Sequence, residues 1–299
     1  MYRKIYVIGT FIMDLVVKSD RMPNKGETIV GIDYNVYPGG KGINQAVAAA
    51  RLGGDVSILG KVGNDEYGKA FLKLLKEENI DHKHVYTSEK LRNGIGFISV
   101  DSKGDNRIVI VLGANKEITK ENVEYYFKDI KKGDIVMTQL EIDFELVEFI
   151  IEKAKSKEAI IILNPAPGRK LKDSILNGID YLTPNEVELN MLIDKTHNSI
   201  DDIEIGAKEL YSKGVKNVIV TLGENGACIY NGKGFKHFSG NIVKAIDTTG
   251  AGDAFNGSLA YMLSKEKDVF ESIQFANKVA SIVVTKNGAI PSMPKITEL

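Results

Sequence analysis

The sequence has no tryptophan and one cysteine, Cys228. A disulfide within the chain is therefore impossible, and a thiolate metal cage lacks its ligands. Cys228 sits in the apolar run ACIY and reads as a small buried side chain. A reducing compartment is expected, with the cytoplasm as the default. Neither sign of charge dominates: 39 Lys+Arg face 40 Asp+Glu, for a net charge of -1. That balance gives no electrostatic footprint for nucleic acid or an anionic membrane. A site that handles phosphate must then draw positive potential locally, from backbone dipoles, a metal and a few lysines. No stretch approaches the roughly 20 apolar residues of a membrane span. The N-terminal run YRKIYVIGTFIMDLVV is cut by Asp14 and lacks a cleavage site, so it reads as a first strand rather than a signal peptide. The four histidines, His82, His84, His197 and His237, are scattered in polar segments with no third ligand beside the first pair, and are assigned to the surface. No repeat, low-complexity tract or linker divides the 299 residues, which suits one α/β domain over 1–299.

What the chain does have is a βαβα rhythm. Ile5 to Gly9, Val56 to Gly63, Asp134 to Glu141, Ala159 to Asn164, Tyr181 to Asn185 and Asn217 to Gly223 are short apolar runs rich in β-branched residues. Near-continuous apolarity fits strands buried on both faces of a parallel sheet. Amphipathic segments lie between them: Asn44 to Leu52, Glu66 to Glu78, Phe144 to Lys155 and Asp201 to Lys213. The expected fold is α/β, a doubly wound, mostly parallel sheet flanked by helices, with ligands at the carboxyl ends of the strands. Two stretches break the rhythm. Residues 13–36 have no helical period, and 94–112 read as two strands around a turn at Asp101 to Asp105. Together they are expected to form a small antiparallel β lid over the site, the alternative being edge hairpins of the main sheet. A lid sheet with one face open is a plausible surface for pairing with a second copy, so a homodimer is expected.

The most informative run is DTTGAGDAF, Asp247 to Phe255. It places a glycine-rich turn directly before an aspartate at the start of an amphipathic segment. Small residues let a backbone approach an anion, and the N–H groups of a helix start attract phosphate. Asp253 stands at that helix mouth, placed to take a proton from an attacking hydroxyl. An anion cradle beside a carboxylate base is what phosphoryl transfer to an alcohol requires. A second glycine-rich turn, GGKGINQA from Gly39 to Ala46, offers backbone amides, the Asn44 amide and the Lys41 cation to a polyhydroxylated ligand. Neither turn completes GxGxxG, because Gln45 and Phe255 fill the last position, so a dinucleotide oxidoreductase is a minor alternative. GNDEYGKA, Gly63 to Ala70, nearly spells a Walker A loop but puts Ala70 where a hydroxyl should hold magnesium, and reads as a helix start at Asp65.

Other polar residues end apolar runs. Asn185 and Glu188 of TPNEVE share one helix face; they either steer magnesium through its waters or form a helix cap with an exposed acid. TLGENG, Thr221 to Gly226, is either a hairpin turn or a seat for a nucleotide. Asp14 lies within an apolar strand, where a carboxylate is costly unless hydrogen-bonded; sugar hydroxyls would satisfy it, and Glu141 has the same two readings.

These segments resemble the ribokinase branch of the PfkB sugar-kinase family. GGKGINQAVAAA, QLE, LNPAP, TPNE, TLGENG, DTTGAGDAFNG and VTKNGAIPS follow in order almost from end to end. The resemblance implies an ATP- and magnesium-dependent kinase acting on the primary 5-hydroxyl of ribose or 2-deoxyribose. It makes Asp253 the general base and Gly250, Ala251 and Gly252 the anion hole. It gives the sugar contacts to Asp14, Gly40, Lys41, Asn44 and Glu141, and the region near magnesium and phosphates to Asn185 and Glu188. Thr221, Gly223 and Gly226 line the ATP side. It also implies a monovalent cation, potassium above all, held by the Asp247 carboxylate, the Ser292 hydroxyl and the carbonyls of Thr249, Val283, Lys286 and Gly288. One position departs: ribokinases usually carry asparagine where this chain has Ile12, whereas the related deoxyribokinases look apolar there. Other acceptors of the family (a nucleoside, fructose, a phosphorylated sugar) and a sugar-binding module without catalysis are the remaining alternatives.

Overall fold

The apolar runs become parallel strands because both of their faces are covered by helices. The computed structural model describes residues 3–195 and 199–299. The chain opens with β1 (Ile5–Ile8), β2 (Ile12–Lys18), β3 (Asp33–Gly39), α1 (Lys41–Arg51), β4 (Val56–Gly63), α2 (Glu66–Glu77) and β5 (Asp81–Ser88). It continues through β6 (Gly94–Val100), β7 (Asn106–Val111), α3 (Lys120–Tyr126), β8 (Ile135–Gln139), α4 (Phe144–Ser156), β9 (Ile160–Asn164) and α5 (Asp173–Leu176). There follow β10 (Tyr181–Leu182), α6 (Glu186–Ile193), α7 (Ile200–Ser212), β11 (Asn217–Thr221), β12 (Ala227–Tyr230) and β13 (Phe235–Phe238). Helices α8 (Ala251–Ser264), α9 (Val269–Val283) and α10 (Ala289–Ser292) close the chain.

Nine strands form the main sheet, in the order β13-β12-β11-β10-β9-β8-β1-β4-β5. It is parallel from β11 to β5, and the β12 and β13 hairpin adds an antiparallel edge. One apolar core lies under α3, α4, α6 and α7, with Leu146, Ile150, Leu189 and Ile203. The other lies under α1, α2, α8 and α9, with Val47, Phe71, Leu259 and Ile273. The expected strand at Tyr181 to Asn185 shortens to two residues: the Thr183 amide still reaches the Leu163 carbonyl, but Pro184 has no amide to donate and Asn185 caps α6. Asp65 caps α2 by accepting the Gly68 amide at 2.9 Å, as the helix-start reading of that segment requires.

The two stretches without helical period do come together, as a four-stranded sheet in the order β3-β2-β6-β7. Its outer pairings are antiparallel, while β2 and β6 run parallel. The register puts Ile12, Asp14 and Val16 on one face, with Gly96 and Tyr37 directly opposite Asp14. Tyr34, Phe97, Ile108, Val109, Ile110 and Val111 of this sheet are exposed.

Among the histidines, His84 corrects the surface assignment. Only 3% of it is exposed, and its ring lies edge-on to Tyr126 at 5.0 Å. It occupies an inward position of the edge strand β5, where burial lowers its pKa despite the nearby Asp129 carboxylate. His82 is partly buried and His237 exposed; His197 lies outside the described residues. Cys228 is buried in β12, and burial pushes its thiol up to about 12.

Candidate active site

Helices α1 and α8 meet at the carboxyl ends of β1, β8 and β9. They approach closely because Gly257 of α8 leaves no room for a side chain: a Cβ there would stand 2.6 Å from both Ala48 Cβ and the Gln45 carbonyl oxygen of α1. One turn earlier, the Asp253 carboxylate therefore faces α1. Asn44 Nδ2 donates to its Oδ2 at 2.8 Å, and Gln45 Nε2 donates to its Oδ1 at 3.0 Å. Asp253 is buried, and the two glycine-rich turns are brought into one site.

The start of α8 fits an anion. Gly250 is its N-cap in the left-handed region (φ 80°), and no side chain caps it. The Ala251 amide returns to the Thr248 carbonyl and that of Ala254 to Gly250. Between them, the amides of Gly252 and Asp253 have no protein acceptor among the described residues. A Cβ on Gly252 would meet nothing within 4 Å, so open space lies beside these donors.

The other carboxylates gather around Lys41. Glu141 Oε2 accepts the Lys41 amide at 2.9 Å and also the Thr10 hydroxyl. Burial still raises the Glu141 pKa, opposed by the Lys41 charge and these two bonds. Asp14 lies in a slot between two glycines. A Cβ on Gly39 would fall 2.2 Å from its Oδ2, and one on Gly96 would fall 2.4 Å from its Oδ1. No protein hydrogen bond reaches this carboxylate among the described residues, and burial, with repulsion from Glu141 and Asp253, pushes its pKa up to about 7. Lys41 loses some of its preference for charge to burial. Attraction to Asp253, Glu141, Glu188 and Asp14 more than restores it, so its pKa is raised. The Asn44 Oδ1 atom is buried without a partner among the described residues. The site thus holds unused acceptors where a polyol could donate.

Asn185 and Glu188 form a capping box: Asn185 Oδ1 accepts the Glu188 amide at 2.7 Å, and Glu188 Oε2 accepts the Asn185 amide at 2.9 Å. The cap reading of this pair holds, but the acid is not exposed. Glu188 is 8% accessible, burial raises its pKa, and its second oxygen has no protein partner among the described residues. The Thr221 amide donates to the Pro184 carbonyl at 2.9 Å, which sets the Thr221 to Gly226 turn beside this cap. That turn joins antiparallel β11 and β12, and Gly223 (φ 57°) and Gly226 (φ 89°) supply its left-handed positions. Gly226 also packs tightly on Phe238 and Gly240 and has a structural duty of its own.

Of the residues expected around a monovalent cation, Asp247, Thr249, Gly288 and Ser292 are joined by hydrogen bonds. The Asp247 carboxylate accepts the Thr249 amide at 2.9 Å and the Gly288 amide at 2.8 Å, tying two loops together. These bonds hold its pKa below the usual carboxylate value although burial opposes them. Ser292 is fully buried and donates its hydroxyl to the Gly288 and Ala289 carbonyls. The Val283 carbonyl accepts the Lys286 amide at 3.2 Å.

Sequence reasoning missed the polar side chains behind Asp253 and Glu141: Thr10 on Glu141, and Gln45, Gln139, Asn164, Thr183 and Asn256 around Asp253. Three of them end or directly follow β8, β9 and β10. A polar residue closing an apolar run is the signal that could have found them.

The pfkB family carbohydrate kinase model matches residues 2–296. The chain belongs to that family. It is 39% identical over 297 residues to a ribokinase of Bacillus subtilis, covering 99% of this chain and 98% of that one. A deoxyribokinase of Salmonella typhi is 36% identical over 295 residues, with 98% and 96% covered. The Arabidopsis thaliana ribokinase, solved with ribose and ATP, superposes with a TM-score of 0.90 at 29% identity, covering 99% and 97% of the two chains. Family membership makes the protein a phosphotransferase with an alcohol acceptor. No helix among the described residues is long and apolar enough to cross a membrane.

Proposed function

We propose that the protein transfers the γ-phosphoryl group of ATP to the primary 5-hydroxyl of ribose or 2-deoxyribose. The observation that carries this reading is the meeting of a buried carboxylate, Asp253, with uncapped amides at the start of α8, beside the unpaired Asp14 carboxylate and the unpartnered Asn44 oxygen. Asp253 accepts the proton of the attacking hydroxyl. The free amides of Gly252 and Asp253, presented by the Gly250, Ala251 and Gly252 turn, take the charge that grows on the moving group. Asp14, Gly40, Lys41, Asn44 and Glu141 bind the sugar. The free oxygen of Glu188 and the Asn185 cap suit the waters of magnesium, which supplies charge neutralisation on the phosphates. Thr221, Gly223 and Gly226 flank the nucleotide. With purified protein and MgATP, ribose or deoxyribose 5-phosphate is the expected product. ATP turnover with a nucleoside or fructose, and none with either pentose, would overturn the assignment.

Ile12 favours the deoxy sugar. It is buried one pleat from Asp14 on the same face of β2, so a hydrocarbon stands where an amide could bond a hydroxyl. One such contact is worth about 1–3 kcal/mol in discrimination. The expected result is a kcat/KM for 2-deoxyribose equal to or above that for ribose, with Ile12→Asn moving the ratio toward ribose. A wild-type preference for ribose by orders of magnitude that Ile12→Asn leaves unchanged would contradict it.

Asp14 gives a pH dependence whose sign is fixed. A carboxylate accepting sugar hydroxyls binds as the ion, and in the free protein its pKa lies at about 7. Sugar affinity is therefore full above that pH and falls as pH drops through it, by about tenfold between pH 8 and pH 6. Isothermal titration at the two pH values measures this, and Asp14→Asn removes the difference.

The loops joined by Asp247 fit a potassium ion held by Asp247, Ser292 and the carbonyls of Thr249, Val283, Lys286 and Gly288. Potassium is expected to raise both the melting temperature and the turnover in cation-depleted buffer; indifference of both counts against the site. The exposed apolar face of the second sheet fits a homodimer formed through it. Sedimentation should give twice the chain mass, and a monomer at micromolar concentration refutes that pairing.

A further inference from the structure

The ends of three neighbouring strands carry polar side chains that are not required to satisfy the sheet, and all are buried. Gln139 ends β8, Asn164 ends β9 and Thr183 follows β10. Gln139 Nε2 donates to Gln45 Oε1 at 2.6 Å, and Gln45 Nε2 is shared between Asp253 Oδ1 at 3.0 Å and Asn164 Oδ1 at 3.2 Å. Asn164 Nδ2 in turn donates to the Thr183 carbonyl at 3.1 Å. On the other side, Thr183 Oγ1 donates to Asn256 Oδ1 at 2.6 Å, and Asn256 Nδ2 donates to the Gly252 carbonyl oxygen at 2.8 Å. Asn256 is 1% exposed, so these bonds face no competition from water.

The last of these bonds matters for the chemistry. The Gly252 carbonyl and the Asp253 amide belong to one peptide unit, and a planar peptide points them in opposite directions. A donor on the carbonyl therefore polarises and orients the amide, which is one of the two left without an acceptor at the mouth of α8. Within a helix this carbonyl already serves the backbone amide four residues on, so helix formation does not need the Asn256 side chain there. Nor does the Thr183 hydroxyl need Asn256 in order to be paired, since the Leu163 carbonyl is within reach at 3.4 Å.

We propose that Thr183 and Asn256 are positioning residues: a strut from the end of β10 that fixes and polarises the Gly252–Asp253 peptide for the transferring phosphoryl group. The inference rests on the kinase reading above. The strut acts on a group that touches the phosphoryl, so its effect is realised mainly where charge is greatest, in the transition state. Removing it lowers kcat and leaves the ground-state affinities for MgATP and sugar nearly intact.

The pair Thr183→Val and Thr183→Ser tests this without opening a cavity. Valine keeps the shape and loses the hydroxyl, whereas serine keeps the hydroxyl. Thr183→Val and Asn256→Ala are expected to lower kcat by about 10- to 100-fold, a part of what loss of a direct oxyanion donor costs. KM for MgATP and for the sugar should stay within about threefold, and Thr183→Ser should recover most of the rate. The decisive readout is inhibition by MgADP with aluminium fluoride and sugar, a mimic of the planar phosphoryl group. Its affinity should fall by the same factor as kcat. If kcat and fluoroaluminate affinity of Thr183→Val both stay within threefold of wild type, or if serine and valine are equally impaired, the inference is overturned. If the wild-type protein phosphorylates neither sugar, it is the kinase reading that has failed, whatever the variants do.

Discussion

Asp253→Asn lowers kcat by about 100- to 10,000-fold while sugar affinity survives within a few-fold. The site explains why the substitution should be clean. The carboxylate has a donor on each oxygen, Asn44 Nδ2 on one and Gln45 Nε2 on the other. An asparagine at 253 must present an NH2 group to one of them. Gln45 cannot turn, since its own Oε1 accepts from Gln139. Asn44 can, because its Oδ1 has no partner and becomes the acceptor when the amide flips. The side chain therefore keeps its place and its bonds and loses the ability to take a proton, while Asn44 turns its NH2 group in place of its oxygen toward the sugar, where a hydroxyl can accept as well as donate. Steady-state turnover with titration calorimetry of the sugar separates the two effects. Near-normal kcat removes Asp253 from the mechanism. Loss of sugar binding together with kcat would show that the residue shapes the pocket instead.

The second large effect opposes stability to activity. Gly252 is the second residue of α8, and a methyl group on it meets nothing within 4 Å. On helix propensity alone, Gly252→Ala should stabilise the protein by up to about 1 kcal/mol. Yet the open space it enters adjoins the amides of Gly252 and Asp253, and a Cβ leans toward the helix start. Crowding a phosphoryl group off such donors is expected to lower kcat by about 100-fold or more. Urea denaturation and turnover of the same variant measure both signs. A variant as active as the parent would mean that nothing needs that space, and the anion-hole assignment would fall with it.

The parts of this site legible in the sequence are those built locally. A glycine turn running into a helix, as at Gly250 or Gly40, is written in adjacent letters, and so is the alternation that makes β2 and β6 strands. The capping box of Asn185 and Glu188 was legible for the same reason, although the depth to which Glu188 is buried depends on the neighbouring turn at Thr221. What escaped depends on which strands are neighbours. Gln139, Asn164 and Thr183 form a row only because β8, β9 and β10 lie side by side. Asn256 matters only because α8 crosses the end of that row. The slot around Asp14 needs glycines from the two strands that flank it: Gly96 directly opposite on parallel β6, and Gly39 opposite Ile12 on antiparallel β3. His84 looked solvated among polar letters, but the alternation of an edge strand turned it against Tyr126.

The proposed chemistry requires base and amides to converge on one bond. A crystal structure with 2-deoxyribose, MgADP and aluminium fluoride measures this directly. The expected result has the sugar's primary oxygen within about 3 Å of an Asp253 carboxylate oxygen. The fluoroaluminate should rest on the amides of Gly252 and Asp253. A sugar whose primary hydroxyl lies away from Asp253, or a nucleotide whose phosphates bypass the start of α8, would contradict it.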